Sequence, residues 1–217
     1  MKRSSGGINH LFNFVAVILG VYLAFFMNER AKTNRDREEA KVFMASLISD
    51  LADDVRLYSQ FQIPANRQQL DQIEEFLEVL IREQPKEIGA HLPVVFQVEN
   101  FAPTSTTYSS VKASGKLGMI SNLDLQKELS DYYETSVEES GRKSEYQVDY
   151  FTSELLPWVT EHIDLTTGAV LHTEALVELR NKLIIYQSLI EQKVKSYETI
   201  VKESETLRDR LESVLAE

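Results

Sequence analysis

Four histidines are the side chains of this sequence best suited to metal binding or acid–base chemistry, and they stand far apart. They are His10, His91, His162 and His172. No two of them have the i, i+4 spacing with an intervening glutamate that marks a zinc-peptidase helix. His162 and His172 flank one loop together with Glu161 and could converge on a metal ion. Structural zinc sites usually have four ligands at tighter spacing, so surface polar residues beside a turn are the favoured interpretation.

Three aspartates form the densest carboxylate cluster, at Asp50, Asp53 and Asp54. Paired carboxylates can serve acid–base or metal chemistry, but on an acidic helix the expected outcome is a solvated face. Residues 114–116 (SGK) lack the upstream glycine of a phosphate-binding loop, and no serine lies in a nucleophile elbow. The chain has no cysteine, which excludes disulfides and thiolate ligands. We therefore predict that the protein is not an enzyme and needs no metal or cofactor.

A group of tyrosines is the remaining candidate for a binding site. Tyr108, Tyr132, Tyr133 and Tyr146 could line a pocket. The preferred interpretation is that these amphipathic side chains lie at the edge of the core, with their hydroxyls reaching water. A pocket among them would favour a ligand-sensing function, whereas a solid core would disfavour it.

The elements that position these residues begin with one apolar, uncharged run at 11–27. Extended to about 20 residues, it covers roughly 30 Å, the thickness of a bilayer's hydrocarbon core. Bulky residues and then Asn28 and Glu29 follow it, so an uncleaved anchor is favoured over a cleaved signal peptide. Apolar side chains on every face argue against a buried helix of a soluble domain. The sequence predicts a single membrane-spanning helix in a lipid bilayer.

Within this run, small residues recur on one face. Ala16, Gly20 and Ala24 are spaced i, i+4, i+8, a pattern that lets two membrane helices approach closely. This stripe predicts association with a second copy or with a membrane protein partner. The alternative is that small residues are simply common in membrane helices.

Charge is distributed unevenly along the chain, whose net charge is −11. Residues 1–41 hold seven Lys/Arg and four Asp/Glu, a net charge of +3, and the remainder carries −14. A body this acidic repels phosphate backbones, which excludes nucleic acid as a partner. Lys2 and Arg3 favour a cytoplasmic N-terminus, but five basic residues at 30–41 favour the opposite orientation. We expect the tail inside and the body outside, because long domains often translocate regardless of charge.

The chain divides into a short tail (1–10), a transmembrane anchor (11–27), a polar helical stalk (28–43) and a helical body (44–217). Few glycines and prolines interrupt it, so long helices are expected. The predicted fold class is all-α: a single N-terminal transmembrane helix leads into an elongated antiparallel bundle of about five helices. The long helices are predicted to be coiled-coil-like.

Apolar seams and prolines predict the helix boundaries in the first part of the body. A first helix is expected at 10–62, broken by Pro64, and a second up to Pro85. The first helix has a seam that alternates by four and three residues. Its members are Met44, Ile48, Leu51, Val55, Tyr58 and Gln62.

Caps and turns predict the boundaries in the middle. Gly115 is expected in the left-handed conformation that ends a short helix, and Ser121 is expected to cap the next. That helix is predicted at 122–155, with a bend at 140–141. Pro157 is predicted to end it. Trp158 and Ile163 are then expected in a linking loop with a turn at 164–168.

The last helix, predicted at 173–215, has the clearest heptad pattern in the chain. Ten of its twelve seam positions are apolar, so it needs a partner of similar length. The seam is Leu176, Leu179, Leu183, Tyr186, Ile190, Lys193, Tyr197, Ile200, Ser204, Leu207, Leu211 and Val214.

Several of these pieces together resemble a bacterial family of membrane-anchored helical proteins known only as a domain of unknown function. The matching pieces are 20–24 (GVYLA), 28–30 (NER), 44–54 (MASLISDLADD), 107–125 (TYSSVKASGKLGMISNLDL), 132–133 (YY) and 179–183 (LRNKL). The short tail and the aromatic pair Phe25 and Phe26 depart from the family pattern. The resemblance implies the architecture. Together with the orientation expected from the charges, a bacterial source predicts an inner membrane location with the body in the periplasm. It implies no activity and no functional residues.

Three functions are compatible with these features. The first is a membrane-anchored, non-enzymatic interaction or scaffold protein, and it is the prediction. The alternative is an extracytoplasmic ligand-sensing bundle that acts with a partner membrane protein, because a single span without an output domain cannot signal alone. A tethered enzyme ranks last, since it would need a constellation of distant residues.

Overall fold

The computed structural model describes residues 5–98 and 101–216, and the side chains from residue 13 onward. The tail residues 1–4 and the side chain of His10 lie outside this part. The protein is mostly helical, at 86%. Eight α-helices are described: α1 (Ser5–Leu57), α2 (Ile63–Ile81), α3 (Ile88–His91), α4 (Thr106–Ala113), α5 (Leu123–Asp131), α6 (Val137–Tyr150), α7 (Leu156–His162) and α8 (Leu176–Ala216). Three π-helical turns are Tyr58–Gln62, Tyr132–Ser136 and Phe151–Leu155, and 3-10 turns are Leu92–Phe96, Lys116–Met119 and Thr173–Ala175.

Pro64 does not break the first helix, contrary to the prediction. The π-turn Tyr58–Gln62 joins α1 to α2, so the chain is helical without interruption from residue 5 to residue 81. The N–H of Ile63 donates to the carbonyl of Tyr58, five residues back. A proline ring normally collides with the carbonyl four residues back. The wider turn relieves this collision, and Pro64 lies in the first turn of α2.

Pro157 repeats this arrangement and does not end its helix either. The π-turn Phe151–Leu155 precedes it, and the N–H of Leu156 donates to the carbonyl of Phe151. The helix therefore continues through α7, and the buried Trp158 belongs to it instead of to a loop. The predicted bend at 140–141 falls inside the regular helix α6, and the irregular turns lie on either side of α6.

Of the two residues predicted to lie at helix ends, Gly115 has the predicted conformation and Ser121 does not cap its helix. Gly115 has a φ of 69°, the left-handed conformation expected after α4. Ser121 does not cap α5, because the N-cap is its neighbour Asn122. The side-chain oxygen of Asn122 accepts the N–H of Leu125 at 3.1 Å, the geometry of an N-cap. Ser121 precedes this position by one residue and is exposed.

Helix α8 packs against α1, α2 and α6. Its predicted seam is confirmed: ten of the twelve positions are buried, and Leu176 and Val214 are half-buried. The seam of α1 is partly wrong. Ile48 and Val55 are only half-buried, whereas Leu47 and Asp54 are completely buried. Heptad spacing locates the buried stripe within about one position, but the neighbouring helices decide which flank is covered.

Two short antiparallel strands, β1 (Ile163–Asp164) and β2 (Ala169–Val170), form a hairpin before α8. Ile163 thus lies in a strand. The predicted turn at 164–168 is present, with Gly168 at a φ of 72°. Gly89 packs directly on it, because a Cβ added to Gly89 would lie 2.6 Å from the carbonyl oxygen of Gly168.

Candidate functional site

Two π-turns bring tyrosines toward one buried carboxylate. Tyr58 and Tyr132 each begin a π-turn, and both are buried. Asp54, one turn before Tyr58, is completely buried. We call Asp54, Tyr58, Tyr108, Tyr132 and Tyr133 the carboxylate–tyrosine cluster. π-Turns inside α-helices often occur at functional sites, so this cluster is the first candidate for a functional site.

Asp54 attaches an extended segment to α1. Both of its carboxylate oxygens accept the backbone N–H of Thr104, at 2.9 and 3.2 Å. The Tyr58 ring contacts Phe101 edge-on at 5.1 Å and Tyr197 of α8 at 4.7 Å. The carboxylate therefore fixes the segment before α4 against the two long helices.

The remaining tyrosines of the cluster stack together. The rings of Tyr108 and Tyr133 are parallel, with centroids 4.5 Å apart, and Tyr132 contacts Tyr133 edge-on at 4.7 Å. The Tyr132 and Ser204 hydroxyls lie 2.7 Å apart. The Tyr108 hydroxyl donates to Glu134. Among the described residues, the buried Tyr133 hydroxyl has no hydrogen-bond partner.

Burial controls the protonation of this cluster. Desolvation raises the pKa of Asp54 to about 6, the charges of Asp50 and Asp53 add to the increase, and the hydrogen bonds from Thr104 oppose it. Desolvation likewise raises the pKa values of the Tyr58, Tyr132 and Tyr133 hydroxyls, so they stay protonated at neutral pH. The cluster can hold one titratable proton near neutral pH, but its members are closed to a substrate.

A second polar network crosses the core between α2, α6 and α8. Gln69 donates to the carbonyls of Val94 and Gln97, at 3.0 and 2.8 Å. Gln147 donates to the Tyr186 hydroxyl at 2.9 Å and accepts a hydrogen bond from Lys193. These partners satisfy polar groups that would be costly to bury alone. The network fixes the 3-10 turn Leu92–Phe96 against the long helices.

The candidate metal site brings two histidines close together, and the part of the chain that the structure describes adds no third ligand to them. The His162 and His172 rings lie 5.5 Å apart, and Glu161 is exposed to solvent. The described residues contain no group of three His, Cys, Asp or Glu side chains that could hold a metal ion. His162 instead packs against the Trp158 ring at 4.9 Å.

Two expectations about polar residues are wrong. The aspartates do not form a solvated face: Asp53 is exposed and pairs with Arg56 at 3.1 Å, but Asp54 is buried. The hydroxyls of Tyr132 and Tyr133 are inside the protein, not in water, whereas Tyr146 is exposed and separate. Asp54 was detectable in principle, because it lies three residues after Leu51 and four before Tyr58, and such spacing continues a seam.

The small-residue stripe lies on a bare helix. Ala16, Gly20 and Ala24 are exposed, and a Cβ added to Gly20 would meet no atom within 4 Å. The large apolar side chains of residues 14–27 are 44–71% exposed. Helix α1 is long and apolar enough to cross a membrane, and its apolar window is 0% buried. The described part of the chain therefore leaves the stripe accessible to another helix.

No protein-family model, curated protein or solved structure matches the chain. The resemblance to a bacterial membrane-anchored family stays a prediction.

Proposed function

We propose that the protein is a membrane-anchored, non-enzymatic interaction or scaffold protein. In this proposal residues 11–27 span a bacterial inner membrane, and residues 40–216 form an antiparallel helical bundle in the periplasm. The observation that carries the proposal is the unbroken helix from residue 5 to residue 81, apolar and bare at one end and packed into the body at the other. Exposed apolar side chains are stable in lipid and costly in water.

The continuous helix supports a mechanical role. Residue 81 lies 54 residues after Met27, so the helix extends roughly 80 Å beyond the span. The first buried residue after the span is Ala40, which leaves a stalk of about three turns. With no loop between span and body, the body is held at a defined height and angle above the bilayer.

The distribution of polar and apolar groups supports interaction over catalysis. Asp54, the carboxylate whose pKa burial raises to about 6, is completely buried in the core. Apolar side chains are exposed at the far end of the body, on the hairpin (Leu165 and Leu171) and on α8 (Val177 and Ile184). Exposed apolar patches favour protein partners.

Membrane association and orientation are tested in intact cells. The chain has no cysteine, so a Lys127→Cys variant carries one thiol on the exposed surface of α5. With the body in the periplasm, a membrane-impermeant maleimide labels this variant in intact cells. A Ser4→Cys variant in the tail is the control and is labelled only after lysis. The opposite pattern would contradict the proposed orientation.

The alternative function is a ligand-sensing bundle that acts with a partner membrane protein. A cleft of about 600 Å³ between α1 and the end of α8 favours it, since ligand sites have volumes of this order. Both functions require a partner, so they differ in whether a ligand occupies the cleft. Native mass measurement of the detergent-solubilised protein is expected to show a protein complex without a bound small molecule for the scaffold, and monomers without a partner would count against it.

A further inference from the structure

The face of α1 that is buried in the body carries arginines where the helix approaches the membrane. Met44, Leu51 and Tyr58 are buried and recur every seven residues. The same interval leads back to Arg37 and Arg30. Because seven residues make nearly two turns, both arginines lie on the same side of α1 as these three buried residues, which pack against the body farther from the membrane.

Among the residues that the structure describes, no helix lies beside this side of α1 near the membrane. Helix α8 ends at Ala216, and its last turn reaches only the level of the cleft. The cleft, of about 600 Å³, is lined by both polar and apolar side chains. Its lining includes Arg37, Glu38, Lys41, Met44, Val214 and Leu215. The cleft thus places the Arg37 side chain beside an apolar surface, and Arg30 lies about two turns nearer the membrane on the same side of α1.

Nearby acidic side chains pair with other cations, and one of them, Glu38, lines the cleft together with Arg37. Arg30 and Arg37 are exposed and form no ion pair with any described residue. Glu38 pairs with Lys41 at 3.7 Å, and Glu39 pairs with Lys116 at 2.7 Å. Two of the nearby carboxylates are therefore engaged by other cations.

Arg30 lies at the height of the headgroup layer, and Arg37 lies above it. Arg30 lies three residues beyond Met27 and Arg37 lies ten, which places them about 4.5 and 15 Å above the end of the span. The polar headgroup layer is about 5–7 Å thick on each side of a bilayer. An arginine side chain can extend back along the helix toward this layer. Both guanidinium groups can thus face the phosphates from one side of the helix.

We propose that Arg30 and Arg37, with the cleft above them, bind the phosphate headgroup of an anionic phospholipid. Guanidinium groups bind phosphate oxygens through paired hydrogen bonds. The site would hold an acidic body, with a net charge of −14 beyond residue 41, close to a negatively charged surface that repels it. The inference rests on the proposed membrane anchoring.

The test is lipid selectivity of the full-length protein reconstituted into bilayers. Spin-labelled phosphatidylglycerol and phosphatidylcholine are compared by the fraction of each that the protein immobilises. One basic residue at a membrane surface contributes up to about fivefold in affinity for anionic lipid. We expect a severalfold preference for phosphatidylglycerol, which falls to near one in Arg30→Gln/Arg37→Gln.

The matched control lies at the same height on the same helix. Lys32 and Arg35 point about 140–160° away from Arg30, so Lys32→Gln/Arg35→Gln removes equal charge from the opposite side. This control is expected to keep most of the preference. An equal loss in both double variants, or no loss in either, would overturn the proposed site.

Two further outcomes distinguish the lipid site from a failure of membrane insertion and from a site for a soluble phosphate ligand. If the span did not insert, no lipid of either kind would be immobilised, and membrane anchoring itself would fail. If the span inserts and both lipids are immobilised equally, only the lipid site fails. Excess inorganic phosphate is expected to leave the preference intact, and its loss would point to a soluble phosphate ligand instead.

Discussion

The membrane anchor can be tested with two valines on one helix. Val17 lies in the apolar run and Val42 lies in the body, and each is 64% exposed on α1. Substitution of either by aspartate changes the net charge equally and creates no buried group. The two variants therefore differ only in whether the side chain faces lipid or water.

The expected magnitudes are far apart. At the centre of a membrane helix, aspartate costs about 2.5–3.5 kcal/mol and valine contributes about −0.3 kcal/mol. Val17→Asp should thus shift insertion by roughly 3–4 kcal/mol, or 10²- to 10³-fold. Val42→Asp is an exposed surface change, with an expected effect within about 0.5 kcal/mol.

The assay is extraction of membranes with alkaline carbonate, followed by flotation. Wild type and Val42→Asp are expected to stay with the membranes, whereas Val17→Asp is expected to appear largely in the soluble fraction. If all three proteins were extracted, or if Val17→Asp were retained as well as wild type, the apolar run would not be acting as a span and the reasoning would be refuted.

Three other predictions follow from the structure. Gly20→Leu is expected to abolish cross-linking between membrane helices, because a Cβ at Gly20 would meet no described atom within 4 Å and a leucine there would hold a second helix away. Tyr22→Leu on the opposite face should preserve the cross-linking, and equal cross-linking would exclude the stripe. Folding raises the pKa of Asp54 from 3.8 to about 6, so between these pH values the folded protein binds a proton that the unfolded chain has lost. The contribution of Asp54 to the free energy of unfolding therefore falls by roughly 2–3 kcal/mol as the pH rises from 4 to 6. Asp54→Asn should accordingly gain stability over wild type at pH 7 but not at pH 4 in chemical denaturation, and a gain independent of pH would contradict this. Gly89→Ala should destabilise the body by about 1–3 kcal/mol, whereas Gly141→Ala, in open space within α6, should stabilise it by about 0.5–1 kcal/mol; similar effects would argue against the close contact at Gly89.

Local patterns in the sequence were sufficient for the helical class and for much of the buried face. The buried seam of α8 was predictable at ten of its twelve positions, including the polar Lys193 and Ser204, because a helix this long keeps its buried stripe at a constant spacing. Gly115 was predictable because a left-handed residue after a helix is usually glycine. The bare, apolar start of α1 was predictable from composition alone.

The prolines show where local rules fail. Pro64 and Pro157 are helix breakers by intrinsic preference, yet both lie inside continuous helices. In each case a π-turn directly before the proline accommodates the ring. A π-turn is rare in isolation and is maintained when packing on neighbouring helices compensates for it. The sequence marks the place of the irregularity, but only tertiary contacts decide that the helix continues.

The carboxylate–tyrosine cluster likewise depends partly on a local sequence pattern and partly on tertiary contacts. Periodicity puts Asp54 near a seam, but it does not reveal which helix covers that flank. The cluster exists because α8 brings Tyr197 against Tyr58 while the segment before α4 brings Thr104 to Asp54, across 50 residues of chain. Spacing along one helix is a local property that a sequence displays directly. Burial of a polar side chain depends on elements distant in sequence, so it is decided only when the helices pack.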